Sequence, residues 1–85
     1  MMEKITHFLE LPKEIVYNLP KVTLIGNLQV VIENHRGIIE YSTGKIRVSV
    51  NNGEIEIIGK DLQIFNITTD EICLDGDISG LMYHR

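Results

Sequence analysis

The sequence predicts a mainly β domain of about eight short antiparallel strands in a rolled sheet, small barrel or sandwich, with a short N-terminal helix. Apolar and polar residues alternate over most of the chain after residue 20, which is the period of a half-buried strand. Glycines separate the alternating segments at short intervals, as turns between strands require. The first twenty residues lack this alternation and space their apolar residues as a helix does.

The N-terminal segment, residues 1–20, is predicted to be helical. Three apolar residues have the i, i+3, i+4 spacing of one helix face: Ile5, Phe8 and Leu9. We place a short helix over 3–10 and a helical turn over 13–18, with Pro12 near the start of the second. This segment either docks on a membrane or a partner, or covers an open face of the sheet; the scarcity of basic residues favours the second interpretation.

The remaining residues, 21–85, are predicted to form the β-rich core of a single domain, 1–85. The eight strands are 21–25, 28–33, 38–42, 45–50, 54–58, 62–66, 71–75 and 78–83. An internal repeat supports this division, because VTLIGNLQVVIEN (22–34) is similar to IEIIGKDLQIFN (55–66). Glycines recur within strand–Gly–strand patterns: Gly26, Gly59 and Gly76. We expect a strand to bend sharply or to reverse at each of them.

Three turns set the register of a predicted four-stranded meander over 28–58. Residues 34–37 form a hairpin loop that places Ile32 opposite Ile39. A two-residue loop at 43–44 sets three further pairs: Tyr41 with Ile46, Glu40 with Arg47, and Ile39 with Val48. Asn52-Gly53 favours a type I′ turn, because that turn needs φ > 0 at both central positions. It pairs Val50 with Ile55, and all three hairpins then keep one apolar face.

Composition excludes several classes of function. The net charge is −4 and basic residues are scattered, whereas nucleic-acid binders concentrate them on one surface. No apolar stretch approaches the roughly 20 residues that cross a bilayer, and the start lacks the apolar centre of a signal peptide. Cys73 is the only cysteine, which suits a reducing compartment and a buried strand position. We therefore expect a cytoplasmic protein with no nucleic-acid partner.

No catalytic or metal-binding pattern is present in the sequence. The three histidines, at positions 7, 35 and 84, are far apart and have no partner at ligand spacing. Asp75 and Asp77 have the i, i+2 spacing of a calcium loop, but the other ligands of that loop are missing. We expect no metal, no cofactor and no enzyme activity. The polar group Asn34, His35, Arg36 and Gly37 suits a loop tip, and a binding role for that tip stays open.

Several motifs identify the chain as similar to a known family. The motifs are Leu11-Pro12, Leu19-Pro20, IGN at 25–27, IENHRGI at 32–38 and IGKDL at 58–62. With them the chain resembles the YabP/YqfC family of sporulation proteins, most closely its YqfC branch. The resemblance implies a protein of endospore-forming bacteria, made in the mother cell and linked to spore envelope assembly. It also implies that residues 34–37, with Gly59, Lys60 and Asp61, matter beyond their roles in turns.

Two hypotheses about function follow. The first is a non-catalytic assembly module at the outer forespore membrane surface, which binds a membrane-associated sporulation protein encoded nearby or forms a homo-oligomer. Ile38 and Ile58 are predicted to face outward and to be its apolar contact residues. The second is a small β-barrel ligand-binding protein or enzyme that uses His35 and Arg36 on an anionic ligand.

Overall fold

A computed structural model describes residues 18–85, which form one antiparallel β-sheet of six strands and, within that range, no helix. The strands are β1 (Lys21–Ile25), β2 (Gln29–Glu33), β3 (His35–Tyr41), β4 (Lys45–Val50), β5 (Gly53–Ile67) and β6 (Glu71–His84). Their order across the sheet is β1-β2-β6-β5-β4-β3. The mainly β, antiparallel prediction is confirmed. The predicted helical segments 3–10 and 13–18 lie outside the described residues, apart from Asn18.

The long hairpin of β5 and β6 replaces four of the predicted strands. Two pairs of predicted strands are each continuous: 54–58 with 62–66, and 71–75 with 78–83. The prediction of eight strands is therefore wrong, because Gly59 and Gly76 bend β5 and β6 without ending them. The β5–β6 pairing shifts register near these bends and resumes on the far side, as it does at a β-bulge.

Both bends depend on the absence of a side chain. A Cβ atom at Gly59 would overlap the carbonyl oxygen of Asp77 on the paired strand. Gly76 has φ 146°, which side-chain-bearing residues rarely adopt, and Asp61 completes the bend with φ 53°. The motif IGKDL at 58–62 thus corresponds to the bend in β5.

β2 and β3 do not form the predicted hairpin. Asn34 alone joins them end to end, and β3 continues to the opposite edge of the sheet. β2 has no free side for β3, because β1 pairs with one of its sides and β6 with the other. The predicted pairing of Ile32 with Ile39 is therefore wrong, and Ile32 pairs with Ile72.

The other two predicted hairpins are present with altered registers. β3, β4 and β5 are sequential neighbours, and Tyr41–Ile46 and Glu40–Arg47 are paired as predicted. Ile39 is an extra residue in a bulge, so Ile38 pairs with Val48 in its place. At the next turn Val50 pairs with Gly53, and Ile55 pairs with Val48 instead of Val50. The turn falls on residues 51–52, where Asn52 supplies the positive φ of 68°. This two-residue shift preserves the buried face.

The core combines side chains from both ends of the β5–β6 hairpin. β1 and β2 lie beside the Glu71–Asp75 part of β6, and β3 and β4 lie beside the Gly53–Ile58 part of β5. Their buried side chains form a single cluster: Val30, Ile32, Ile46, Val48, Val50, Ile55, Ile57, Leu62, Ile72, Leu74 and Ile78. The sheet therefore bends over its own core. It is one open sheet with β1 and β3 as its edges, and closure into a barrel is not observed among the described strands.

Candidate interaction surface

Asn34 is the single-residue junction between β2 and β3. It has φ 65°, a left-handed conformation that asparagine tolerates better than most residues. Its backbone N–H donates to the carbonyl of Asp70 at 2.6 Å, and its side-chain Nδ2 donates to the carbonyl of Leu19 at 3.0 Å. These contacts attach the junction to the segment before β1 and to the β5–β6 turn. Asn34 is therefore part of the framework and does not project from a loop tip.

His35 is also held by the backbone. Gly37 N–H donates to His35 Nδ1 at 2.9 Å, so Nδ1 carries no proton in this arrangement. Nε2 is then the donor to the carbonyl of Thr68, 2.8 Å away. Both ring nitrogens are occupied, and the ring connects the start of β3 to the end of β5.

Arg36 is the exposed member of the predicted group 34–37. It is an extra residue in the β3–β4 pairing, since His35 pairs with Val50 and Gly37 with Ser49. Its guanidinium has no hydrogen bond or ion pair with any other residue of the described range 18–85. Arg36 is thus the one side chain of this group that is available to a second molecule.

The second predicted group, Gly59, Lys60 and Asp61, lies elsewhere. Gly59 N–H donates to the carbonyl of Gly44, in the turn that follows β3, whereas residues 34–35 lie where β3 begins. Lys60 is exposed and pairs across the strands with Asp77. The fold places the two groups at opposite ends of β3 and does not combine them into one site.

Ile38 and Ile58 differ in orientation. Ile58 is 38% exposed next to the buried Ile57 and pairs with Lys45, so it faces outward as predicted. Ile38 pairs with the buried Val48 and therefore faces the core side of the sheet, because directly paired residues share a face. The outward orientation predicted for Ile38 is wrong; the bulge at Ile39 shifts the register. Ile38 remains 37% exposed because β3 is an edge strand.

An exposed apolar area, which we call the β3–β5 patch, extends from this edge. It consists of Ile38, Ile39, Tyr41, Phe65 and Ile67, each 37–55% exposed. Two contacts align the strands antiparallel: His35 with the Thr68 carbonyl, and Ile64 N–H donating to Tyr41 Oη at 3.2 Å. No backbone pairing joins β3 to this part of β5.

The β3–β5 patch is continuous with the hydrophobic core. Ile38, Tyr41 and Ile67 pair with the buried residues Val48, Ile46 and Ile72 and share their faces. These side chains stay accessible because no backbone hydrogen-bond ladder joins the facing edges of β3 and β5. The two edges are connected only by the side-chain contacts of His35 and Tyr41 described above. Contiguous exposed apolar patches are candidate interaction sites. Of the patch residues only Ile38 was predicted to be an apolar contact residue, and the adjacency of β3 to the end of β5 was missed.

The outer face of β3, β4 and β5 carries an ion-pair network. Arg47 donates to Glu54 from Nε at 2.6 Å and from Nη2 at 2.7 Å, and to Glu40 from Nη1 at 3.2 Å. The carboxylate of Glu54 accepts two donors from one guanidinium, and this holds its pKa below the usual range. The same contacts raise the pKa of Arg47.

Glu56 extends this network to β6. It contacts His84 Nε2 at 2.7 Å and Lys45 Nζ at 3.5 Å. The hydrogen bond from His84 and the charge of Lys45 lower the pKa of Glu56. Glu54 and Glu56 are thus each paired with a basic side chain. The contact between His84 and Glu56 was not predicted, because it depends on the long-range register of β5 and β6.

Cys73 is buried, as predicted. Its thiol donates to Glu71 Oε1 at 3.3 Å, and burial together with this acceptor raises the pKa of the thiol. A raised pKa reduces the thiolate fraction, and the thiolate is the nucleophilic form. The residue therefore packs as a small apolar side chain.

Two surface depressions contain none of the predicted site residues. One, of about 430 Å³, lies at the β1–β2 turn and is lined by Ile25, Leu28, Gln29, Asp75 and Gly76. The other, of about 560 Å³, is lined by Leu19, Pro20, Asn51, Asn52, Tyr83 and Arg85.

Within residues 18–85 no three His, Cys, Asp or Glu side chains are grouped to hold a metal ion. The described part of the chain also contains no helix long and apolar enough to span a membrane.

Comparison with known proteins identifies the family. The model of the YabP family matches residues 18–85, which is the whole described range. The chain belongs to the YabP family. It is 37% identical over 79 residues to the uncharacterized protein YqfC of Bacillus subtilis (strain 168), an alignment that covers 93% of this chain and 85% of the relative. The resemblance to the YabP/YqfC family noted from the motifs is confirmed. No solved structure matches the chain.

Proposed function

We propose that the protein is a non-catalytic interaction module that acts in sporulation, during assembly of the spore envelope. It works in the mother cell, at the outer forespore membrane surface, and its partner is a membrane-associated sporulation protein or another copy of itself. Membership of the YabP/YqfC family supports the sporulation context.

The observation that carries this proposal is the distribution of apolar side chains. Among the described residues, thirteen large apolar side chains are more than a third exposed, compared with twelve apolar residues in the core. No polar or charged side chain of this range is buried. A small domain that leaves so many apolar groups at its surface gains free energy when a second molecule covers them. The β3–β5 patch is the surface that we assign to this contact, because three of its residues share a face with buried core residues of the paired strands.

The alternative function, binding of an anionic ligand by residues 34–37, receives less support. Asn34 and His35 use their polar atoms to connect β2, β3 and the β5–β6 turn. Arg36 is left as a single exposed cation, whereas anion sites combine several donors in a concave surface.

Deletion of the gene in the host organism, followed by counting of heat-resistant spores, tests the proposal. We expect the deletion to reduce the spore yield and the wild-type gene to restore it. Phe65→Asp, which places a charge in the β3–β5 patch, should fail to restore the yield. Leu28→Asp is the matched control, because Leu28 is 63% exposed but lies outside the patch.

Each outcome of this test has a definite meaning. An unchanged yield in the deletion strain contradicts a role in sporulation. Full restoration by Phe65→Asp contradicts the assignment of the patch. Thermal melting of both purified variants confirms that they are folded, so a failure to restore the yield reports lost binding.

A further inference from the structure

The free edges of β1 and of the last part of β6 face each other without a backbone ladder. β6 pairs with β2 only before its bend, so residues 78–84 pair with β5 alone, and β1 pairs only with β2 among the described strands. Asn27, just after β1, accepts a hydrogen bond from Ile78 N–H at 2.8 Å. Leu19, just before β1, lines one depression with Tyr83. β1 and this part of β6 therefore run antiparallel along an opening in the fold.

The side chains along this opening are apolar and belong to the core face of the sheet. We call it the β1–β6 opening and define it by Leu24, Leu81 and Tyr83, which are 40–54% exposed. Directly paired residues share a face of a sheet. The three residues pair directly with buried core residues, in order Val30, Ile57 and Ile55. Solvent therefore reaches core-facing side chains between these two edges.

The chain enters the described structure at one end of the β1–β6 opening. Asn18 Oδ1 and the Leu19 carbonyl both accept hydrogen bonds from Asn34 Nδ2, at 3.0 Å. Leu19 and Pro20 then line the depression that also includes Tyr83. The seventeen residues that precede Asn18 are therefore attached next to the opening.

We propose that the N-terminal segment, residues 1–17, docks in the β1–β6 opening. The apolar side chains of the predicted helix 3–10, which are Ile5, Phe8 and Leu9, cover the three side chains that line the opening. This contact gives the segment a place within the domain, in preference to a membrane surface. It is independent of the proposed function, because the β3–β5 patch lies on other strand edges.

The length of the segment fits the opening. Residues 78–83 of β6 extend over about 17 Å at the usual rise of a strand. A helix over 3–10 is about 12 Å long, and residues 11–17 can span up to about 23 Å when extended. The connection is thus long enough for the helix to reach the whole opening. A helix of this length is marginal in water alone, so burial of its apolar face against the sheet would stabilise it.

Paramagnetic relaxation measured by NMR on the full chain tests this position. A nitroxide is attached at Glu10→Cys in a Cys73→Ser background, because residue 10 lies on the polar side of the predicted helix. We expect a strong loss of amide signal intensity along the β1–β6 opening and a much smaller loss along the β3–β5 patch. A mixture of isotope-labelled protein with separately spin-labelled protein should show no such loss, since the contact is within one chain.

Thermal melting tests the same contact in proteins that retain Cys73. Phe8→Ala should lower the melting temperature by several degrees, and His7→Ala, on the polar side of the predicted helix, should not. In a Leu81→Ala background the effect of Phe8→Ala should be smaller, because substitutions of contacting residues are not additive. Phe65→Ala is the matched background, and there Phe8→Ala should keep its full effect.

Three results would overturn the inference. The first is a signal loss at the β3–β5 patch equal to or greater than that at the β1–β6 opening, or no loss at either. The second is the same loss in the mixed sample, which would assign the contact to a second copy. The third is full additivity of Phe8→Ala and Leu81→Ala. Spore yield tests the proposed function separately, so each of these results leaves that proposal unaffected.

Discussion

Arg47 binds Glu54 through two parallel hydrogen bonds, from Nε to Oε2 and from Nη2 to Oε1. This contact connects β4 to β5, and a third bond to Glu40 includes β3. One guanidinium thus joins three neighbouring strands on the outer face, opposite the buried Val48 side of β4. The planar fork of arginine provides this geometry, and the single ammonium of lysine does not.

Arg47→Lys should lower the melting temperature by a few degrees, because lysine cannot donate to both oxygens of Glu54 and to Glu40 at the same time. Differential scanning calorimetry measures the change. Arg36→Lys is the matched control and should melt at the wild-type temperature, since Arg36 has no partner in the described range. Equal melting temperatures for Arg47→Lys and the wild type would contradict the structural role of the fork.

Stability should decrease as the solution is acidified. The pKa values of Glu54 and Glu56 are lowered in the folded protein, by hydrogen bonds from Arg47 and His84 respectively. A carboxylate with a lowered folded pKa contributes fully above its unfolded pKa, about 4.3, and the contribution is lost as the pH falls through the folded pKa. Urea midpoints measured from pH 7 to pH 3 should therefore fall, and the decrease should be smaller in Glu54→Gln/Glu56→Gln. An identical pH profile for that double variant would exclude these two groups as a cause.

Gly59→Ala should destabilise the fold by about 1–3 kcal/mol, the usual cost of forcing extra atoms into a close contact. The new methyl group would meet the carbonyl of Asp77, a backbone atom that cannot move aside without disturbing β6. Gly80→Ala is the control: it lies in the same hairpin, its nearest neighbour would be 3.9 Å away, and it should cause no comparable loss. Chemical denaturation measures both free energies of unfolding, and equal values would show that β5 bends without a close approach at Gly59.

Cys73 should react slowly with a thiol reagent in the native protein and rapidly after unfolding in guanidinium chloride. Burial limits access of the reagent, and the raised pKa of the thiol reduces its thiolate fraction. The absorbance change with Ellman's reagent at pH 8 measures both rates. Reaction of the native protein at the unfolded rate would contradict the burial of this side chain.

Local features of the fold were predictable from the sequence. Each observed strand overlaps a predicted one, although β5 and β6 were each predicted as two strands. The two-residue period depends only on which face of a strand is buried, so it can be read locally. The Glu40–Arg47 pair followed from the short turn at 43–44, which fixes the register of its own hairpin. Gly26 was also predicted as a point of reversal, and it lies in the β1–β2 turn with φ 53°.

Long-range relationships were not predictable in the same way. The pairing of β2 with β6 joins residues such as Gln29 and Asp75, and no local pattern encodes that choice. A polar group before a glycine is typical of a hairpin loop, yet Asn34 turns the chain toward the other end of the sheet. The structural roles of Asn34 and His35 depend on this path of the chain from β2 to β3. Both residues contact the β5–β6 turn, which lies more than thirty residues further along the sequence.

The connection through Asn34 also has a consequence for biosynthesis. β2 leaves the ribosome long before β6, and β6 covers one entire side of it. The segments β3, β4 and β5 can pair in sequence as each is made, whereas β2 must wait for the last strand of the chain. Translation therefore passes through a stage in which the apolar strand QVVIE has a solvated edge, and completion of β6 is the step that removes this risk of aggregation.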